Sequence, residues 1–237
     1  MPTTTIQVPE LVGIIVLDIE TTDLHPPQGK IVEIAAVQVK VNGLYKKTLL
    51  NRMCNPSLSV NELEEAWTCK NNYISPDEIL AGDSPEQVSL GLKGIIGNWP
   101  WTSYNSSFES RFLQEFPWRL HPPSFDLMST MTDFCGRFPR WAKHPISPDL
   151  QKAYRHIGRH PKTTHRALDD AQMAADILIW LLWKNIYKCE QLGNILMPLA
   201  ERPQCEECQS TMYWEPGIND WRCHRCWDYH FYIGGSW

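Results

Sequence analysis

Apolar residues crowd into Ile14-Ile15-Val16-Leu17 and then give way to the alternation Asp18-Ile19-Glu20. A short apolar run of this kind predicts a buried strand, over 12–18, that ends by presenting two acids. Side chains in extended backbone alternate with period two, so positions 18 and 20 project to one face. Gly29-Lys30 opens a second strand over Ile31–Lys40, and Asn42-Gly43 is a type I′ hairpin signal leading into a third strand over 44–53. Residues 58–95 read as short helices with Pro76 and Pro85 as breaks, 99–105 as a short strand and 108–116 as a helix. Proline clusters at 117–123 and 139–148 mark loops, and a helix through 149–157 follows the second. The longest helical stretch is 166–187, where Ala167, Ala171, Ala174, Ala175 and Leu178 recur at three- and four-residue steps. Strands followed by helices predict a layered α/β fold. A linker over 197–203 separates this body from a short tail rich in Trp and Cys, and no internal repeat is visible.

Length and charge refine the picture only locally. The 237 residues suit one large domain with a small appendage, and the net charge of −5 does not mark a polyanion binder. Between Gly136 and Arg166, however, Arg137, Arg140, Lys143, Lys152, Arg155, Arg159, Lys162 and Arg166 face the single acid Asp149. That segment reads either as a solvated loop or as a phosphate-gripping surface. No signal-peptide pattern occurs at 1–7, and the apolar run at 177–183 is far too short to span a membrane. Of eight cysteines, four lie in paired Cys-x-x-Cys spacing, while Cys54, Cys69, Cys135 and Cys189 are scattered. Metal ligation plus reduced thiols fits a reducing, cytoplasmic compartment.

Three elements carry candidate chemistry. Asp18 and Glu20 would repel each other if buried, and a divalent cation would remove that cost; a solvated strand end is the alternative reading. His165-Arg166-Ala167-Leu168-Asp169-Asp170 sits at the entrance of the long helix, where His165 and Asp170 can converge on one cleft. Acids there also suit the helix macrodipole, and a lone histidine reads equally as a surface residue. Asn105-Ser106-Ser107-Phe108-Glu109 offers another acid, although Ser106-x-x-Glu109 taken alone is a capping box.

Taken in order, these elements resemble the DEDDh (DnaQ-like) 3′→5′ exonuclease family, over about residues 10–190. That family carries Asp-x-Glu on its first strand, Asn-x-x-Phe-Asp opening a middle helix, and His-x4-Asp at its last helix. The matching residues here are Asp18 and Glu20, Asn105 to Glu109, and His165 with Asp170; the segment Leu150 to Gly158 also looks like the family's stretch before its histidine. The resemblance implies a ribonuclease H-like mixed β-sheet flanked by helices, over 1–198. It further implies phosphodiester hydrolysis from a free 3′ end of DNA or RNA, single strands favoured, with release of nucleoside 5′-monophosphates. Asp18, Glu20 and Asp170 would hold two Mg²⁺ or Mn²⁺ ions, with Glu109 contributing directly or through water, and His165 would be the general base. Thr21, Leu24 and Asn105 match substrate-contacting positions, Leu24 by packing against the terminal base. Two departures stand out: Glu109 replaces the family's Asp with a side chain one methylene longer, and Asp23 replaces a glycine.

The tail over 199–237 holds Cys205-x-x-Cys208 and Cys223-x-x-Cys226 around two turn-forming dipeptides, the spacing of a Cys₄ zinc ribbon. A disulfide or redox pair is the alternative. So small a module has little core, so a bound Zn²⁺ would supply much of its stability. Its crowd of aromatic residues reads as a base-stacking platform or as a docking surface for the body or a protein partner. Six acids against three arginines from Glu201 onward favour docking. A second function follows from Glu109 and this tail: a catalytically weak nucleic-acid-binding or adaptor protein that engages a partner through the zinc module.

Overall fold

The computed structural model describes residues 13–40, 45–71, 74–97, 99–137, 144–162, 164–184, 203–210, 212–215 and 220–223. The Asn42-Gly43 turn, most of the 197–203 linker, Cys189 and Cys226 lie outside the described residues. Three strands, β1 (Gly13–Thr21), β2 (Ile31–Lys40) and β3 (Tyr45–Met53), form an antiparallel meander. A short β4 (Trp101–Thr102) joins β1 in parallel, so the mixed sheet runs β3-β2-β1-β4. β1 extends past its expected end, which places both Asp18 and Glu20 on the strand itself.

The period-two alternation decides what meets what. Ile14 and Val16 on β1, with Ala35, Val37 and Val39 on β2, belong to a core shared with α6 (Leu127–Cys135), α7 (Leu150–His156) and α8 (Ala167–Trp183). Ile15, Leu17 and Ile19 belong to the opposite core, with α4 (Pro85–Ile96) and α5 (Ser106–Leu113). Asp18 and Glu20 continue the even-numbered register and so point toward α8. Ala167, Ala171, Ala174 and Ala175 are fully buried, and their small side chains let α8 lie close on the sheet. Truncating a fully buried residue such as Leu17 to Ala in this two-sided core costs about 2–5 kcal/mol.

Several expectations are corrected. Pro76 and Pro85 do mark breaks between short helices, and each also opens the next one: each follows a serine N-cap with a full capping box, Ser75 with Glu78 and Ser84 with Gln87, at the heads of α3 (Pro76–Leu80) and α4. Proline suits a first helical turn because the amide it lacks has no intrahelical acceptor there. Before them come α1 (Val60–Glu65), capped the same way by Ser59, and α2 (Trp67–Asn71). The middle strand is only two residues long, and α5 begins at Ser106. Helix α6 falls between the proline clusters, outside the expected elements; Asp126 caps it by accepting from Ser129 N at 2.6 Å. In the tail, β5 (Tyr213–Glu215) and β6 (Asp220–Arg222) pair antiparallel. Among the described residues, no helix is long and apolar enough to cross a membrane.

Candidate functional site

β1 delivers Asp18 and Glu20, and the first turn of α8 delivers Asp170, so that carboxylate oxygens of all three lie within 4.8 Å of one another. Each comes from a rigid element. Glu20 is buried, whereas Asp18 and Asp170 keep partial exposure, so the group is reachable from solvent. A β-bulge between Glu20 and Thr21 ends the regular pairing of β1 just past the second acid.

The head of α8 is fixed by a residue the motifs do not include. Glu33, on β2 beside Glu20 and 1% exposed, accepts from Arg166 Nε at 3.0 Å and from Ala167 N at 3.1 Å. It thus satisfies the helix N-terminus that the Arg166 side chain leaves uncapped. Its signal in the sequence is an acid sharing the period of Ala35, Val37 and Val39 on an otherwise apolar face. Asp169 faces away from this centre, accepting from Lys162 Nζ at 2.6 Å and Thr164 Oγ1 at 2.5 Å.

Electrostatics set the triad apart from the remaining surface. Burial, reinforced by the charges of Asp170, Glu109 and Glu20, holds the Asp18 carboxyl well above the usual carboxylate range. Burial, followed by Asp169 and Glu33, pushes Asp170 up to about 7. Glu109 is 4% exposed, and burial pushes it up to about 8 against the opposing hydrogen bond from Ser103. Repelling, desolvated carboxylates of this kind favour protonation or a cation, and hard oxygen donors match Mg²⁺ or Mn²⁺.

Glu109 corrects the expected cap. Asn105, not Ser106, is the N-cap of α5, and it makes no side-chain cap bond. Ser106 N donates instead to Asp126 Oδ2 at 2.7 Å, which frees Glu109 to turn inward. Its Oε2 accepts from Ser103 Oγ at 2.7 Å, and Glu109 does not join the Asp18–Glu20–Asp170 group. The motifs mark neither Ser103 nor Asp126.

The other expected residues surround the triad without joining it. Thr21 is buried and donates through Oγ1 to Asp23 O at 2.7 Å; its own carbonyl accepts from Thr68 Oγ1 on α2. Leu24 is 55% exposed on the loop that follows. That loop is closed by Gly29, where a Cβ would lie 2.5 Å from Asp23 O. Asp23 Oδ1 accepts from Leu24 N within the loop. Asn105 is half-buried and accepts from Ser107 Oγ at 2.8 Å. His165 is exposed one residue before the N-cap of α8, with φ +46°, a left-handed backbone that non-glycine residues seldom adopt.

In the tail, sulfur atoms of Cys205, Cys208 and Cys223 lie within 4.8 Å of one another, with Cys208 and Cys223 3.4 Å apart. A turn closed by Gln209 N donating to Cys205 O at 2.9 Å carries the first pair. Among the described residues Cys54, Cys69 and Cys135 form no disulfide.

Comparison with known proteins bears on the family and the fold. The exonuclease family model RNase_T matches residues 15–178. A PolC-type DNA polymerase III from Staphylococcus aureus is 26% identical over 181 residues, 76% of this chain; the chain spans only 12% of that polymerase's length. The nuclease domain of 3′hExo, described as a DEDDh family member bound to rAMP, aligns with TM-score 0.55 and 20% identity, covering 74% of this chain and 94% of that one. Escherichia coli Exonuclease I in complex with a dT13 oligonucleotide aligns with TM-score 0.57 and 14% identity, covering 78% and 44%. With the model matched across the sheet and most of α8, and with a fold shared with these nucleases, the chain belongs to the RNase_T exonuclease family.

Proposed function

We propose that this chain is a metal-dependent 3′→5′ exonuclease that removes nucleoside 5′-monophosphates from single-stranded DNA or RNA. One observation carries the reading: three carboxylates from two rigid elements converge within 4.8 Å of one another. Asp18, Glu20 and Asp170 would hold two Mg²⁺ or Mn²⁺ ions, which supply an activated water and charge stabilisation for the leaving oxygen. His165 takes the proton of the attacking water on a ring nitrogen, and its exposed place beside the helix head lets it approach a bound strand. The water oxygen bonds to phosphorus, the bond from phosphorus to O3′ breaks, and O3′ leaves protonated from solvent. Leu24 packs against the terminal base, while Thr21 and Asn105 contact the terminal nucleotide. The relatives solved with an oligonucleotide and with rAMP lend support to such a substrate.

The tail over 199–237 is proposed as a separate module in which Cys205, Cys208 and Cys223, with Cys226 as fourth ligand, bind one structural Zn²⁺. It serves as a docking element for a protein partner, in a reducing compartment such as the cytoplasm. Glu109 standing outside the acidic group favours a second reading, a weakly catalytic binding protein. Incubation of 3′-labelled DNA and RNA strands with Mg²⁺ or Mn²⁺ decides between the two. Mononucleotide release by wild type and none by Asp18→Ala supports the enzyme; equal inertness of both proteins on every substrate supports the binding protein.

A further inference from the structure

Glu109 has one more rotatable bond than the aspartate of the family motif, so a positioned carboxylate at that distance needs an added constraint. Ser103 supplies a candidate. It is fully buried, sits just past β4, and donates from Oγ to Glu109 Oε2 at 2.7 Å. Glu109 itself is 4% exposed, so few waters compete for that oxygen. This bond engages one of its two carboxylate oxygens, and the carboxyl lies close enough to Asp18 for its charge to be felt there.

The backbone around Ser103 is held by other means. Asp126 receives Ser106 N at 2.7 Å and Ser129 N at 2.6 Å, and so ties the heads of α5 and α6 together. Ser124 N donates to Trp101 O at 2.8 Å and Met128 N to Tyr104 O at 2.8 Å. The Ser103 hydroxyl is therefore not what keeps α5 in place. Its remaining polar contacts are with Ser106, whose Oγ lies 3.3 Å away.

We propose that Ser103 is a positioning residue for the metal centre: its hydroxyl clamps one oxygen of Glu109 and holds the longer side chain beside the acidic triad, where its carboxylate reaches a bound divalent ion through water. This rests on the metal-dependent reading of the site. A side chain with three free torsions, released from the clamp, samples several positions and binds an ion less well.

Calorimetric titration of Mn²⁺ into the full chain, without substrate, tests the clamp. Ser103→Ala is expected to weaken the weaker Mn²⁺ site by roughly 10-fold, while the metal-free protein, short of one buried hydrogen bond, melts only a few degrees lower and stays folded. In a Glu109→Ala background the same substitution is expected to change nothing, because Ser103 acts through Glu109. If Ser103→Ala binds both ions like wild type, or weakens binding equally in the Glu109→Ala background, the clamp is overturned while the metal site stands. If wild type binds no Mn²⁺, the clamp and the metal-dependent reading fall together. Should Ser103→Ala not fold, Glu109→Gln measured against Glu109→Ala provides the second comparison. The amide keeps an oxygen for Ser103 but not the anionic ligand, so it is expected to match Glu109→Ala in Mn²⁺ affinity; wild-type affinity in Glu109→Gln overturns the role given to Glu109.

Discussion

The two candidate metal sites, the acidic triad and the cysteine cluster, are built on opposite principles. Asp18, Glu20 and Asp170 are carried by a strand and a helix that pack into a two-sided core, so their positions are fixed before any ion arrives. Cys205, Cys208 and Cys223 lie on short turns beside a hairpin of three-residue strands, without a large helix or sheet of the body to carry them among the described residues. In the first region the fold presents repelling charges and the ion relieves them. In the second the ion would do the work of a core. Metal removal is therefore expected to silence one region and to unfold the other.

The sharpest break of that contrast is Asp18→Ala. Release of mononucleotides is expected to fall on the order of 10³-fold, about 4 kcal/mol of barrier, in a 3′-end assay. The metal-free variant should melt no lower than wild type, because a desolvated acid has been removed. A variant that loses activity by unfolding would show that the triad, too, helps to hold the fold.

Cys208→Ser probes the other side. Bound zinc, measured by elemental analysis of the purified protein, should drop from one equivalent to near zero, with the main melting transition unmoved. A collapse of that transition would mean that the tail and the body are not energetically separate.

Glu33→Gln addresses how the acidic region stays rigid. It removes the buried charge that holds half-buried Arg166 and the Ala167 amide, and is expected to cost about 2–3 kcal/mol, seen as a melting temperature lower by roughly 6 °C. The change belongs to the fold rather than to the ions, so it should persist when Mg²⁺ is present.

A pH series gives the smallest signal. Asp170 at about 7 and Glu109 at about 8 hold their protons more tightly folded than unfolded. Their contribution to stability is thus complete below the ordinary carboxylate range and is lost as pH rises through those values. The melting temperature of chelator-treated protein should fall by on the order of 5 °C between about pH 5 and pH 8.5, and millimolar Mg²⁺ should restore most of it at the upper end. An unchanged melting temperature across that range would mean that these carboxyls are already ionised in the folded chain.

Much of this arrangement is legible in the sequence because it depends on local periodicity. The β1 run, the exact limits of β2 and the alanine stripe of α8 follow from the spacing of apolar residues, and the even register of 14, 16, 18 and 20 already assigns the acids to one face. The rest is decided by partners distant in the chain. Ser106 and Glu109 have the spacing of a cap, yet Asp126, twenty residues on, takes the Ser106 amide and releases Glu109 to the interior. Pro76 and Pro85 signal only that no helix runs through them; that they begin helices depends on the serines before them. Helix α6 carries an amphipathic period in Leu127, Met128, Met131 and Phe134 behind its Asp126 cap, but between two proline clusters so short a signal reads as loop.

The link between Arg166 and Glu33 spans 133 residues of chain, and the triad beside it spans a similar distance. A polypeptide made from its N-terminus therefore carries the β1–β2 hairpin, with two of the three acids in place, long before α8 exists to supply the third. Closing so long a loop is slow relative to forming the hairpin. On the proposed reading, a growing chain that has not yet reached Trp183 holds only two of the three acids, so truncation before α8 is expected to abolish mononucleotide release, and it also strips β1 of the core that α8 lays on Ile14 and Val16.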